Sequence, residues 1–118
     1  IRRAKPENLI FSAVDALLLS SYQLGAPGAI AAILTAAPGP SVKLWNAVID
    51  KDWENARDLH ERLMPLWDAI GVDNMPSLCK YAQQLQGLEA GHARKPTSPA
   101  TEKQKETVRN ALKNLDLI

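Results

Sequence analysis

The sequence predicts an α/β fold in which helices predominate over strands. Two short apolar runs near the N-terminus have the length and the flanking proline and glycine residues of buried strands. A helix pattern lies between them, and four more helix patterns follow. The predicted order is strand, helix, strand, helix and then three more helices. Two parallel strands cannot bury both faces of their sheet unaided. We therefore expect that the strands needed to complete the sheet come before this chain, on its N-terminal side.

The first predicted strand covers residues 8–12 and contains the apolar run Leu9–Phe11. Asp15 stands before the next helix and Gly25 follows it, as is typical of a helix start and a helix end. From the residues alone, Ser12 and Asp15 are a helix-start pair that satisfies free backbone donors.

The second predicted strand covers residues 29–33, between Pro27-Gly28 and Pro38-Gly39-Pro40. Three of its five residues are alanines, which are poor strand formers, so the prediction depends on its length and its flanking residues. Ser41 is expected to cap the following helix, which ends near Asp50.

The longest predicted helix runs from Trp53 to Ile70, with apolar residues at three- and four-residue spacing. Pro65 lies inside this pattern and lacks a backbone N–H. We therefore expect the helix to kink or break near residues 62–64.

Two further helices are predicted near the C-terminus. The first begins at Asn74, with Pro76 in its first turn, and ends at Gly87. A loop follows, and Thr101 with Gln104 then forms a capping-box pattern that opens the last helix.

The composition indicates an ordinary globular protein, with 46% hydrophobic and 23% charged residues. The 14 Lys and Arg residues nearly balance the 13 Asp and Glu residues and are spread along the chain. This pattern predicts neither nucleic-acid nor membrane binding. The apolar stretch 25–40 is too short and too interrupted by proline and glycine to span a bilayer. Cys79 is the only cysteine, which favours a cytoplasmic location, and the start at Ile1 indicates a fragment or a processed chain.

The side chains with catalytic or metal-binding chemistry have simple structural interpretations. His60 and His92 are 32 positions apart with no third ligand, so no metal site is expected. Cys79 is interpreted as a small buried side chain. Three lysines on predicted helices are expected to be solvated or paired: Lys43, Lys51 and Lys80. Three tryptophans are interpreted as packing between helices or as an oligomer interface: Trp45, Trp53 and Trp67.

Four segments of the chain carry a family resemblance. They are Phe11–Asp15, Leu24–Ile30, the helix that contains Leu63-Met64-Pro65-Leu66, and a closing run of Lys80, Gly87-Leu88, Arg94, Pro96 and Pro99. In order and spacing, the chain from about Asn8 onward resembles the C-terminal portion of the dihydrodipicolinate synthase and N-acetylneuraminate lyase family. Members of this family are pyruvate-dependent class I aldolases and hydro-lyases.

The resemblance implies a (β/α)8 TIM barrel followed by a small C-terminal helical region. Residues 1–50 would supply the last two strand-helix units, which hold strands 7 and 8, and residues 51–118 the helical region. The Schiff-base lysine of the family lies at the end of the sixth strand, which the resemblance places upstream of Ile1. The full-length protein would then be a lyase that needs no metal or organic cofactor, and we expect the 118 residues alone to be inactive.

The resemblance also implies a substrate-binding region and partners. Ser12 and Ala13 would lie at the end of the seventh strand, and Ile30 and Ala31 at the end of the eighth, where backbone atoms face the pyruvyl imine. Ala13 replaces the usual glycine and Ala31 a common serine, so the substrate could be pyruvate or another 2-oxo acid. The complete protein would be a homo-oligomer, a dimer or a tetramer.

An alternative interpretation is a non-catalytic module derived from the same family. In that case the helices that carry the tryptophans would serve oligomerisation or another protein interaction, and the chain would fold cooperatively by itself. A molten, aggregating chain would favour the fragment of a barrel instead.

Overall fold

A computed structural model describes residues 4–5 and 7–118. Ile1, Arg2, Arg3 and Pro6, which belong to the predicted unit 1–50, lie outside the described residues. The described part consists of a 3-10 turn, Asp15–Leu17, followed by six α-helices. The helices are α1 (Leu18–Gln23), α2 (Ile33–Ala36), α3 (Pro38–Ile49), α4 (Trp53–Ile70), α5 (Met75–Leu85) and α6 (Glu102–Asn114). The expected predominance of helices is confirmed.

The long helix α4 is the centre of the packing. It contacts α3 and α6, while α5 contacts α6 and the short helix α2, and α1 contacts α3. These helices enclose one core, whose largest fully buried apolar side chains are Leu18, Ile33, Leu44, Leu66, Ile70, Leu78, Val108 and Leu112. Every helix from α1 to α6 therefore contributes at least one side chain to the same core.

Helix predictions that depend on residues close together in the sequence are confirmed. The amphipathic pattern of α4 buries Leu59, Leu63 and Leu66 along one face. Thr101 and Gln104 form the predicted capping box at the start of α6. These signals act over three or four residues and need no distant partner.

Neither predicted strand forms in the described part of the chain. Residues 8–12 and 29–33 meet through a single parallel bridge between Ser12 and Ala29, and α2 begins at Ile33. The prediction of two strands was therefore wrong for this chain. A parallel ladder needs hydrogen bonds over several successive residues, whereas these segments make one bridge, and the alanine-rich residues before α2 prefer helix to strand.

Three predicted helix features also require correction. Ser41 does not cap α3, which begins at Pro38; the Ser41 hydroxyl lies one turn inside and donates to the Ala37 carbonyl at 2.7 Å. Pro65 does not break α4, which continues to Ile70, because the buried face on either side keeps its packing. Lys51 is not helical but lies in the turn between α3 and α4, with a φ of +60°.

Asn74 stands at the start of α5, as predicted, but its side chain does not cap that helix. Its amide nitrogen instead donates to the Pro99 carbonyl at 3.2 Å and to Gln104 Oε1 at 3.1 Å, and its Oδ1 accepts from Gln104 Nε2 at 2.9 Å. This amide pair fastens the start of α6 to the start of α5.

None of the helices in the described residues is both long and apolar enough to cross a lipid bilayer.

Candidate functional site

The candidate site lies where the two N-terminal segments run side by side. The N–H of Ser12 donates to the Gly28 carbonyl at 3.0 Å, and the Ser12 carbonyl accepts from the N–H of Ile30 at 2.8 Å. This is the hydrogen-bond pattern of neighbouring parallel strands, formed here over one residue. It brings residues 12–13 next to residues 30–31, so the four residues predicted to bind substrate share one location.

Asp15 joins the same two segments through its side chain. Its carboxylate accepts a hydrogen bond of 2.6 Å from the backbone N–H of Ile33, the first residue of α2, and Asp15 is buried. No side-chain hydrogen bond caps the turn Asp15–Leu17 itself. The expectation that Asp15 caps its own helix was therefore wrong, because the carboxylate satisfies the N-terminus of a helix 18 residues away.

Ser12 is buried, and its polar groups are used within the protein. Its hydroxyl donates to Ser21 Oγ at 2.9 Å, while its N–H and carbonyl form the bridge. The structure thus gives Ser12 a positioning role: it connects the bridge to α1. The helix-start role expected for Ser12 is not observed.

Gly28 allows the close approach of an aromatic ring at the bridge. A Cβ atom on residue 28 would lie 3.0 Å from Phe11 Cε1 and 3.2 Å from Phe11 Cδ1, which is closer than ordinary contact. A side chain at position 28 would therefore have to displace the Phe11 ring.

The remaining predicted site residues present backbone groups and apolar surface. Ala13 is exposed, Ile30 is 75% exposed, and Ala31 is half-buried against the core. In the described part of the chain, no group accepts a hydrogen bond from the N–H of Ala13 or of Ala31.

Apolar side chains are exposed throughout the region around the bridge. The large ones are Leu9, Ile10, Phe11, Val14, Leu17, Leu24 and Ile30. Such a concentration of exposed apolar side chains is typical of a surface that is covered by other protein.

The bridge holds no nucleophile or acid–base group that is free to react. Lys43 and Lys51 are exposed, and the Lys80 ammonium group on α5 donates to the Ala90 carbonyl. His60 is half-buried on α4 and His92 is exposed in a loop; within the described residues no three His, Cys, Asp or Glu side chains are grouped as metal ligands. Among the described residues, the region around the bridge therefore provides hydrogen-bonding groups and apolar surface, but no reactive side chain.

The tryptophans divide between the core and the surface. The Trp45 ring packs edge-on against the Tyr22 ring, with centroids 4.9 Å apart, and Trp67 also packs against the core. The same burial raises the pKa of the Tyr22 hydroxyl above its ordinary value. Trp53, in contrast, is 44% exposed. The prediction of packing between helices therefore fits Trp45 and Trp67.

Sequence comparison relates the chain to enzymes of known name. The model of the dihydrodipicolinate synthetase family matches residues 1–115. A 4-hydroxy-tetrahydrodipicolinate synthase from Archaeoglobus fulgidus is 35% identical over 118 residues, which are all of this chain and 41% of that protein. A second such synthase, from Methanocaldococcus jannaschii, is 33% identical over 92% of this chain and 38% of its own length.

Structural comparison gives the same relatives. The crystal structure of dihydrodipicolinate synthase from Thermotoga maritima superposes with a TM-score of 0.86 and 30% identity, over 99% of this chain and 40% of that one. The chain thus spans about two fifths of the length of the relatives it matches.

Proposed function

Since the chain belongs to the dihydrodipicolinate synthetase family, we propose that it is the C-terminal part of a Schiff-base-forming, pyruvate-dependent lyase. Such an enzyme condenses, cleaves, hydrates or dehydrates 2-oxo acids through an imine of a lysine. The observation that carries the proposal is the family match over residues 1–115 together with the paired segments at Ser12 and Ile30. The nucleophilic lysine would lie on a part of the protein outside these 118 residues.

In this proposal, residues 1–50 supply the last two strand-helix units of a (β/α)8 barrel and residues 51–118 form a helical region after it. The parallel bridge between Ser12 and Ala29 supports this assignment, because neighbouring barrel strands are parallel. The exposed apolar side chains of residues 9–30 support it as well, since the remaining strands and helices of a barrel would cover them.

The substrate-binding region would consist of Ser12, Ala13, Ile30 and Ala31 at the ends of two strands. Backbone atoms of these residues would face the bound 2-oxo acid, while Ser12 holds the two segments in register. Ile30 would supply an apolar wall. The Ala13 and Ala31 methyl groups would help to decide whether pyruvate or a larger 2-oxo acid is accepted.

Borohydride trapping tests the proposed chemistry. Full-length protein treated with pyruvate and sodium borohydride should gain one reduced pyruvyl group on a lysine outside these 118 residues. The 118-residue chain alone should give no adduct. An unmodified full-length protein, or a pyruvyl adduct on Lys43, Lys51 or Lys80, would refute this assignment.

A pair of matched substitutions tests the binding region. Ile30→Ala should raise the KM for the 2-oxo acid, whereas Ile49→Ala should leave it unchanged, since Ile49 is 58% exposed at the end of α3. Equal effects of the two substitutions would argue against a substrate contact at Ile30.

A homo-oligomer, dimer or tetramer, is part of the proposal. The oligomeric state has to be measured, because one related structure, with a TM-score of 0.87 and 30% identity over 99% of this chain and 39% of its own, is described as the first monomeric dihydrodipicolinate synthase variant. Sedimentation of the full-length protein measures it directly. A cytoplasmic location is proposed from the single cysteine, Cys79, which is free and buried.

A non-catalytic oligomerisation or interaction module remains a second candidate, favoured by the exposed Trp53 ring at the start of α4. Here the 118-residue chain should unfold cooperatively and elute as a defined oligomer. A chain that binds a hydrophobic dye and aggregates would instead support the fragment of a barrel.

A further inference from the structure

A cavity lies between α5, α6 and the loop that joins them, and none of its lining residues belongs to the candidate site. Its volume is about 480 Å³, within the range of small-molecule pockets. Its walls come from all three elements: Lys80 and Tyr81 from α5, Gly91 and Lys95 from the loop, and Lys105 from α6.

The cavity is strongly cationic. Three of its lining side chains are lysines, Lys80, Lys95 and Lys105, and the described lining residues include no Asp or Glu. One lining lysine has an acidic partner outside the cavity: the Glu102 carboxylate lies 2.8 Å from the Lys105 ammonium group and is 90% exposed. A hydrogen bond from Lys105 lowers the pKa of Glu102. One exposed carboxylate leaves an excess of positive charge at the cavity.

Arg109 extends this charge behind the cavity wall. Its guanidinium group donates to the Tyr81 hydroxyl at 2.6 Å, and the Lys105 ammonium group lies 5.9 Å from the centre of the Tyr81 ring. Because the Tyr81 oxygen accepts from Arg109, its own proton is directed to another acceptor. Arg109 thus fixes the position of Tyr81 in the cavity wall.

The loop side of the cavity is fastened to α5 before any ligand binds. The Gln84 amide donates to the Gly91 carbonyl at 2.9 Å, and the Ser77 hydroxyl donates to the Ser98 carbonyl at 2.7 Å. The Lys80 ammonium group donates to the Ala90 carbonyl. Because these hydrogen bonds already hold the loop in place, ligand binding would cost less conformational entropy.

We propose that this cavity binds a small, compact anion that carries at least two negative charges, a phosphate group or a dicarboxylate. Lysines from three separate elements line the cavity together with Tyr81, and no carboxylate is among the described lining residues. The site is independent of the lyase assignment, because none of its residues belongs to the bridge between Ser12 and Ala29.

Calorimetric titration of the full-length protein tests the proposal, with inorganic phosphate and malonate as separate probes. Wild-type protein should bind at least one of them saturably, with one site per chain, and the probe that binds more tightly identifies the ligand chemistry. Lys95→Gln and Lys105→Gln should each weaken that binding by about tenfold, as expected for the loss of one charge-assisted contact.

Lys103→Gln is the matched control, because Lys103 is an exposed lysine on α6 that does not line the cavity. It removes the same charge and should change the dissociation constant by less than about twofold. Circular dichroism checks that each variant is folded, and Lys95 is exposed in the loop between α5 and α6. The proposal is overturned if neither probe binds wild-type protein, or if Lys103→Gln weakens binding as much as the cavity variants.

Discussion

The Asp15 carboxylate accepts a 2.6 Å hydrogen bond from the backbone N–H of Ile33, although 18 residues separate the two in sequence. Both residues are buried. Their hydrogen bond connects the same two segments that the bond between the Ile30 N–H and the Ser12 carbonyl connects. A negative charge at the first N–H of α2 is favourable because that donor has no partner within its own helix. Asp15 therefore fixes where α2 begins relative to the candidate site.

Replacing Asp15 should lower stability by removing this bond. Asp15→Ala leaves the Ile33 N–H buried without an acceptor, and we expect the free energy of unfolding to fall by about 1–3 kcal/mol. Asp15→Asn keeps an acceptor oxygen and should cost less. Urea unfolding of the full-length protein measures both, with Asp68→Asn on the exposed side of α4 as the control. Equal stability of wild type and Asp15→Ala would contradict the role of this bond.

The contact between Asp15 and Ile33 could not be predicted from the sequence, whereas some of the helices could. The helices α4 and α6 were predictable because their apolar spacing and the Thr101–Gln104 capping box act within a few residues. An Asp before an apolar run looks the same whether it caps its own helix or one 18 residues later. Only the folded chain decides between these two partners.

The strand predictions failed for a related reason. Residues 8–12 have a strand-like apolar run, but a strand forms only when a partner supplies a ladder, and within the described residues this run makes one bridge, from Ser12 to Ala29. The pairing of Ser12 with Ile30 and the close approach of Phe11 to Gly28 have no local sequence signal. The four candidate site residues were nevertheless predicted to lie together, because the family resemblance carries information that periodicity lacks.

The contact between Gly28 and Phe11 can be tested with a double-mutant cycle. Gly28→Ala places a Cβ atom 3.0 Å from the Phe11 ring and should lower the free energy of unfolding by about 1 kcal/mol. In a Phe11→Ala background the same change should cost less than about half of that, since the clashing ring is gone. Additive effects in urea unfolding would show that the ring is not the cause.

The amide pair between Asn74 and Gln104 should make Gln104 more important than its capping partner. Thr101→Ala removes the cap of α6 and should cost about 1 kcal/mol. Gln104→Ala removes the reciprocal bond to the Thr101 N–H and both bonds to Asn74, so it should cost more. Thr101→Ser keeps the hydroxyl and is the control. A smaller loss for Gln104→Ala than for Thr101→Ala in thermal or urea unfolding would contradict this ranking.

Two other glycines should respond to alanine to different degrees. A Cβ atom at Gly71 would lie 2.9 Å from the Trp67 carbonyl oxygen, which is backbone and cannot easily move, so Gly71→Ala should be destabilising. A Cβ atom at Gly39, in the first turn of α3, would meet nothing within 4 Å outside the neighbouring residues, although Pro40 disfavours helical backbone at a preceding residue that has a Cβ atom. Gly39→Ala should therefore cost less stability than Gly71→Ala in parallel urea unfolding, and an equal or larger cost at Gly39 would refute the steric explanation.

Cys79 should be a slow nucleophile with a measurable effect on the pH dependence of stability. Burial raises the pKa of its thiol, and the charge of Asp15 acts in the same direction. Because the thiolate is the reactive form, modification by a disulfide reagent should be about tenfold slower or more in the folded protein than in urea.

The sign of the pH effect follows from the raised pKa. Folding favours the protonated thiol, so this contribution is constant below the pKa of the unfolded thiol, about 8.5, and stability falls as the pH rises above that value. Cys79→Ala removes the titrating group and should show a shallower loss of stability between pH 8 and pH 10. Urea unfolding of the wild type and of Cys79→Ala at several pH values in that range measures the difference. Identical pH slopes, or equal modification rates in the folded and unfolded wild type, would show that the thiol is not shielded as its burial indicates.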